Sequence, residues 1–190
     1  MVNHRIVFMG SPNIACEYLQ ILVKNKLNVI SVYTQPPSPK GRGMKIQNSS
    51  VHDEALKQGI PVYHPENFKE QTNIETFINL DPDLVVVMAY GILLPKRILS
   101  CPKFGCINIH LSLLPCWRGA TPVEHTLLNG DKETGITIFK LIKKLDAGPI
   151  LSQSSLSIDY DTDREQLLQK LNSIGKDLLI KTLPNYLNNK

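Results

Sequence analysis

Apolar residues recur along the chain in two alternating rhythms. "RIVFMG" (5–10) is a short apolar run that stops at glycine, and "PNIACEYLQILVKN" (12–25) spaces Ile14, Ala15, Tyr18, Leu19 and Leu22 as one helical face. The β-branched "NVISVYT" (28–34) predicts a strand, "SVHDEALKQG" (50–59) a capped helix opening at Ser50, and "IPVYH" (60–64) a brief strand. "NIETFINL" (73–80) predicts a helix that ends at Asp81-Pro82. The unbroken apolar run "DLVVVMA" (83–89) implies burial on both faces, and so a central parallel strand. Further strands are predicted at 105–110, 135–142 and 149–158, and an amphipathic helix over 162–187, bent near Gly175. Repeated strand–helix–strand units predict an open, mainly parallel α/β sheet with right-handed crossovers and helices on both faces.

One stretch breaks the rhythm. "TQPPSPKGRGMKIQNSS" (34–50) carries three prolines, two glycines and the basic residues Lys40, Arg42 and Lys45. Its composition opposes strand pairing, so it is expected to be poorly ordered when free; long loops in compact domains are usually functional or disordered. No internal repeat or linker divides the 190 residues, which are expected to form one domain. Composition adds boundaries rather than chemistry. A net charge of +4 is too weak a bias to argue for nucleic acid by itself. No 18-residue apolar window exists, so no membrane span is expected. The N-terminus runs straight into a strand pattern, unlike a signal peptide. The four cysteines (Cys16, Cys101, Cys106, Cys116) form no CxxC, which suits free thiols in a reducing cytoplasm.

In open α/β sheets ligands lie beyond the carboxyl ends of the strands. That rule gathers Ser11-Pro12, the 34–50 loop, Ala89-Tyr90-Gly91 and Asn108-Ile109-His110 on one rim. A nucleotide is a poor occupant: "GSPNIA" after the first strand is not G-x-G-x-x-G, and no G-x-x-x-x-G-K-[ST] occurs. Taken singly, a histidine at a strand end is more often structural than catalytic. Strand alternation, however, points Asn108 and His110 to the same side, and "KLDAGPIL" (144–151) supplies Asp146 in a turn after a strand. An amide donor for an oxyanion, an imidazole to transfer a proton and a carboxylate to orient it fit acyl transfer. The absence of G-x-S-x-G leaves the nucleophile to the substrate.

These residues carry a resemblance. "NIHLSLLP" with "LDAGPIL" resembles the 10-formyltetrahydrofolate-dependent formyltransferases. Together with "FMGSPNIA", "YTQPPSPKGRGMK", "VVMAYGILLP", "LLPCWRGATP" and "NGDKETGITIFKL", it is most similar to the branch acting on methionyl-tRNA. The match runs from about residue 5 to about residue 185. The resemblance implies a Rossmann-like formyltransferase fold, 10-formyltetrahydrofolate as co-substrate, and formyl transfer to the α-amino group of methionyl initiator tRNA. It implies catalytic roles for Asn108, His110 and Asp146. Folate binding would fall to Ser112, Leu113, Leu114 and Pro115, with Leu141 and the rest of the 141–146 turn as the opposite wall. The 34–50 loop, through Arg42, Lys40 and Lys45, would meet the tRNA acceptor end. The family's C-terminal tRNA-binding domain has no match in this chain, so residues 1–190 are expected to be the catalytic domain alone, as a cytoplasmic monomer. Alternatives are formyl transfer to an amino-sugar nucleotide or to glycinamide ribonucleotide, and a non-catalytic folate- or RNA-binding module, which would gain nothing from keeping the trio.

Other residues are less informative. Tyr90 is as readily a packed side chain as a pocket wall. Trp117 is expected to be a packed aromatic, with Arg118 beside it able to contact phosphate. Lys170, Lys176 and Lys181 suit a solvated helix face. His4, His52, His64 and His125 have no ligand spacing, so no role and no metal are assigned to them.

Overall fold

The computed structural model describes residues 4–41 and 43–188, so Arg42 lies outside the described residues. The chain divides into two compact units, Met1–Cys106 and Ile107–Lys190. The seven strands of the main sheet follow the order β5-β2-β1-β6-β7-β8-β9.

In the first unit, β1 (Ile6–Gly10) pairs in parallel with β2 (Val29–Tyr33) on one side and β6 (Leu84–Met88) on the other, and β2 pairs in parallel with β5 (Val62–Tyr63). Every residue of β1 and β6 is buried, as the continuous apolar run of β6 predicts for an interior parallel strand. Helices α1 (Asn13–Lys24), α2 (Ser50–Lys57), α3 (Gln71–Asn79) and the single turn α4 (Lys96–Leu99) complete the unit. Helix α2 is capped one residue earlier than the sequence suggests: Ser49, in extended backbone, accepts from the His52 N–H at 3.0 Å. Ser49 belongs to a chain of hydroxyls. Its Oγ contacts Thr34 Oγ1, Thr34 donates to Ser11 Oγ at 3.4 Å, and Ser11 donates to the Tyr90 carbonyl at 3.2 Å.

The 34–50 segment departs from the sequence reading. It holds a hairpin, β3 (Ser38–Lys40) antiparallel to β4 (Lys45–Gln47), with Pro39 opposite Ile46. In a two-stranded ribbon each strand is an edge, so a proline needs no second neighbour to accept its missing N–H. The turn closes with Met44 N–H on the Gly41 carbonyl at 3.1 Å.

In the second unit, β7 (Cys106–His110), β8 (Glu133–Lys140) and β9 (Ile150–Ser157) form an antiparallel meander rather than continuing the parallel order. The nine-residue connection from β8 to β9 (141–149) is too short for a parallel crossover, which needs a dozen or more residues. Helix α5 (Pro122–Leu128) was not foreseen. Helix α6 (Arg164–Asn188) is continuous through Gly175. It buries Leu167, Leu171, Gly175 and Leu179, a stripe at steps of four, and packs on β8 and β9. No helix among the described residues is long and apolar enough to cross a membrane.

Ser49→Ala should destabilise the chain by about 1–2 kcal/mol through the lost cap, whereas Ser50→Ala should stay within about 0.5 kcal/mol. Urea midpoints of the two variants test the capping assignment, and reversed sensitivities would contradict it.

Candidate active site

The second unit builds a site from one strand and two turns. In β7, Ile107 and Ile109 alternate into the core at 0% and 2% exposure, which sends Asn108 and His110 to the other face. Asn108 is half-buried and pairs with Phe139, while His110 pairs with Thr137. The His110 ring is 6% exposed and meets Phe139 edge-on at 6.4 Å. Its Nε2 lies 2.9 Å from the Trp117 carbonyl oxygen. A carbonyl only accepts, so Nε2 carries the hydrogen and Nδ1 is left as the nitrogen that can gain or lose a proton.

Asp146 sits 3.9 Å from that Nδ1, measured to Oδ2, and both side chains are more than nine-tenths buried. This separation suits an ion pair but exceeds a hydrogen bond. The same Oδ2 accepts from the Gly119 N–H at 2.7 Å. Orientation of His110 therefore comes from the Trp117 main chain, whereas sequence reasoning gave that part to Asp146. Asp146 has a left-handed backbone (φ 42°) in the 141–149 turn. Two residues on, a Cβ at Gly148 would collide with the Lys140 carbonyl, so glycine is required where the chain doubles back beside β8.

Residues 112–116 are pinned by the neighbouring strands. Thr137 Oγ1 donates to the Ser112 carbonyl at 2.7 Å and accepts from the Leu114 N–H at 3.0 Å. Gln153 Nε2 reaches the Leu114 carbonyl at 3.0 Å and Thr137 Oγ1 at 2.8 Å. Ser112 Oγ donates to the Cys116 carbonyl at 2.6 Å. Ser112 and the main chain of Leu114 thus already hold partners inside the protein, and the Leu114 side chain is only 6% exposed. Leu113 and Leu141 are half-buried, and Pro115 and Arg118 are exposed. Leu113 lies over Gly135, whose bare Cα makes room for its Cδ2.

The remaining candidates belong to the first unit. Tyr90 is 2% exposed, and its hydroxyl has no hydrogen-bond partner among the described residues; burial pushes the phenol above its usual range. Ser11, Pro12, Gln35 and Ala89 line a polar cleft of about 220 Å³, in accord with their expected place at the strand ends. The Cα atoms of Lys40 and Lys45 are partners in register across the hairpin, and Lys45 is exposed. Among the described residues no group of three or more His, Cys, Asp or Glu side chains could hold a metal ion. Among the described residues the cysteines form no disulfide, and burial raises the Cys16 thiol to about 11.

Sequence reasoning missed Thr137, Gln153 and Gly119, and it missed that His125 stacks on Trp117 at 5.5 Å. Thr137 and Gln153 stand opposite each other on β8 and β9, polar positions on otherwise apolar or serine-rich strands. That register is the signal that could have found them, once the strands are known to be antiparallel.

The second unit thus sets a buried imidazole, at the end of β7, beside a buried carboxylate. Residues 4–183 match the family described as "Formyl transferase", and the chain belongs to that family. It is 49% identical over 179 residues to a methionyl-tRNA formyltransferase of Wolbachia sp. subsp. Drosophila simulans (strain wRi), covering 94% of this chain and 60% of that protein. It is 43% identical to the methionyl-tRNA formyltransferase of Thermotoga maritima, covering 94% of this chain and 57% of that protein. The chain thus spans about three-fifths of these relatives' length. Among solved structures, phosphoribosylglycinamide formyltransferase from Bacillus halodurans superposes with a TM-score of 0.82 at 22% identity, covering 97% of this chain and 96% of that one. A formyltetrahydrofolate deformylase from Pseudomonas syringae pv. tomato superposes at 0.77 and 23% identity, covering 95% of this chain and 60% of that one. Both likenesses establish the fold.

Thr137→Val should destabilise the chain by about 2–3 kcal/mol, because it leaves the Ser112 carbonyl and the Leu114 N–H buried without partners. Chemical denaturation checks this, and a loss below about 0.5 kcal/mol would mean that residues 112–116 are held by other contacts.

Proposed function

We propose that the chain transfers the formyl group of 10-formyltetrahydrofolate to the α-amino group of methionyl initiator tRNA by direct amine attack, with Asn108, His110 and Asp146 as the catalytic residues. The observation that carries this reading is the buried His110–Asp146 pair in a member of the formyl transferase family. Relatives at 42–49% identity named methionyl-tRNA formyltransferase support the acceptor.

No enzyme nucleophile is needed. The Nε2 edge of His110 is taken by the Trp117 carbonyl, and the Ser112 hydroxyl by Cys116, so neither forms a serine–histidine pair. The neutral amine adds to the formyl carbon, and the carbonyl electron pair moves to oxygen. Asn108 and the doubly protonated ring of His110, through Nδ1–H, stabilise that oxyanion. The proton lost by the attacking nitrogen passes toward Asp146 through water. Collapse re-forms the carbonyl and expels the folate N10, which takes up that same proton, returned through the water. The Gly119 N–H keeps Asp146 in place throughout.

The folate would lie between residues 112–115 and the 141–146 turn, with Leu113, Pro115 and Leu141 making contact and Ser112 and Leu114 supporting the backbone from within. Tyr90 is the remaining candidate for folate contact. The hairpin would meet the acceptor end through Lys40, Arg42 and Lys45, with Met44 and Ile46, 68% and 75% exposed, available to pack on bases. Arg118, exposed, would add a phosphate contact. Residues 1–190 would then act as the catalytic domain, a monomer working in the cytoplasm where initiator tRNA is charged.

Single-turnover transfer from 10-formyltetrahydrofolate, offered methionyl initiator tRNA, glycinamide ribonucleotide or an amino-sugar nucleotide, tests the reading. Formylation of the tRNA alone is expected, and transfer only to a small acceptor would overturn it. Asn108→Ala should slow transfer by about 10²–10³-fold, or roughly 3–4 kcal/mol, with folate affinity little changed. Near-normal turnover in that variant would remove Asn108 from the mechanism.

A further inference from the structure

Trp117 is the chain's single tryptophan, and its ring is clamped from two sides. The indole Nε1–H donates to Asp131 Oδ2 at 2.7 Å, and the ring lies flat on His125, with centroids 5.5 Å apart and planes 8° apart. Asp131, just past α5, is itself fixed: its N–H donates to the Thr126 carbonyl at 3.1 Å, and its other oxygen accepts from the Asn129 amide at 2.6 Å. Between these anchors the backbone is unusual. Trp117 is left-handed at φ 53°, Gly119 at φ 94° and Thr121 at φ 57°. For a bulky residue that conformation persists only where the surroundings over-determine it. The only main-chain atoms of 117–119 seen bonded to functional side chains are the Trp117 carbonyl, on His110 Nε2, and the Gly119 N–H, on Asp146 Oδ2.

We propose that Asp131 and His125 are positioning residues for His110 and Asp146. By clamping the indole they hold the left-handed turn at 117–119. That turn fixes the imidazole by its carbonyl and the carboxylate by its N–H, and so sets the gap between them. The catalytic consequence rests on the formyl-transfer reading; the structural one does not. Residues 112–116 have separate pins in Thr137 and Gln153, so loss of the clamp should disturb the reacting groups and spare the folate slot.

Three variants and three readouts test this. Trp117 emission reports the clamp directly. Exchange of the His110 Nε2–H with solvent, followed by proton NMR, reports the frame without any substrate. Steady-state transfer separates kcat from KM. Asp131→Ala should red-shift the emission, speed the Nε2–H exchange and lower kcat by roughly tenfold or more, the scale of small misplacements, with KM for folate nearly unchanged. Asp131→Asn keeps an oxygen to accept the indole N–H and should restore all three readouts. Asn129→Ala removes only the bond to the other carboxylate oxygen and should leave them at the unsubstituted level. The proposal is overturned if Asp131→Ala leaves emission or Nε2–H exchange unchanged, or shifts emission while kcat holds. It is also overturned if Asn129→Ala lowers kcat as much as Asp131→Ala, since general loosening would then explain both. If the unsubstituted chain transfers formyl to no acceptor, the functional reading fails instead, and emission and exchange decide the clamp by themselves.

Discussion

A backbone carbonyl can only accept a hydrogen bond, and through that limit the Trp117 carbonyl decides the chemistry of His110. By holding Nε2 at 2.9 Å it places the ring hydrogen on that nitrogen and leaves Nδ1, on the Asp146 side, without one in the neutral ring. Such a bond contributes only about 1 kcal/mol to stability, but it fixes both a ring orientation and a tautomer. Asp146, 3.9 Å away, supplies charge rather than orientation.

The fold makes this arrangement possible by changing style partway. The first unit is a parallel sheet around β1 and β6, two strands in which every residue is buried. The second is an antiparallel meander whose short connections bring polar residues of adjacent strands side by side. Thr137 and Gln153 meet there and tie down 112–116, and the β8–β9 turn lifts Asp146 to the level of His110. Glycine is indispensable at one point of that turn, because Gly148 passes against the Lys140 carbonyl. The spacing of His110 and Asp146 thus depends on backbone geometry more than on contact between the two side chains.

Much of this was legible beforehand. A continuous apolar run identified β6 as an interior strand, and period-two alternation put Asn108 and His110 on one face. The turn around Asp146 was visible in its Asp-Ala-Gly-Pro sequence. Three features were not legible, each for a physical reason. Alternation along a strand does not encode the direction of its neighbour, so the antiparallel meander escaped. Proline excludes an interior strand but not a two-stranded ribbon, so the 38–47 hairpin passed for loop. Main-chain partners have no side-chain signature, so the Trp117 carbonyl and Gly119 N–H could not be foreseen, and the orienting part fell to Asp146 by default.

The most direct test of this account is the tautomer of His110, read from long-range proton–nitrogen-15 correlation spectra of the neutral ring, assigned with His110→Gln. The account predicts that Nε2 carries the hydrogen and Nδ1 has the shift of a bare, unprotonated nitrogen. A spectrum with the hydrogen on Nδ1 would contradict it, because the Trp117 carbonyl could not then be the group that orients the ring.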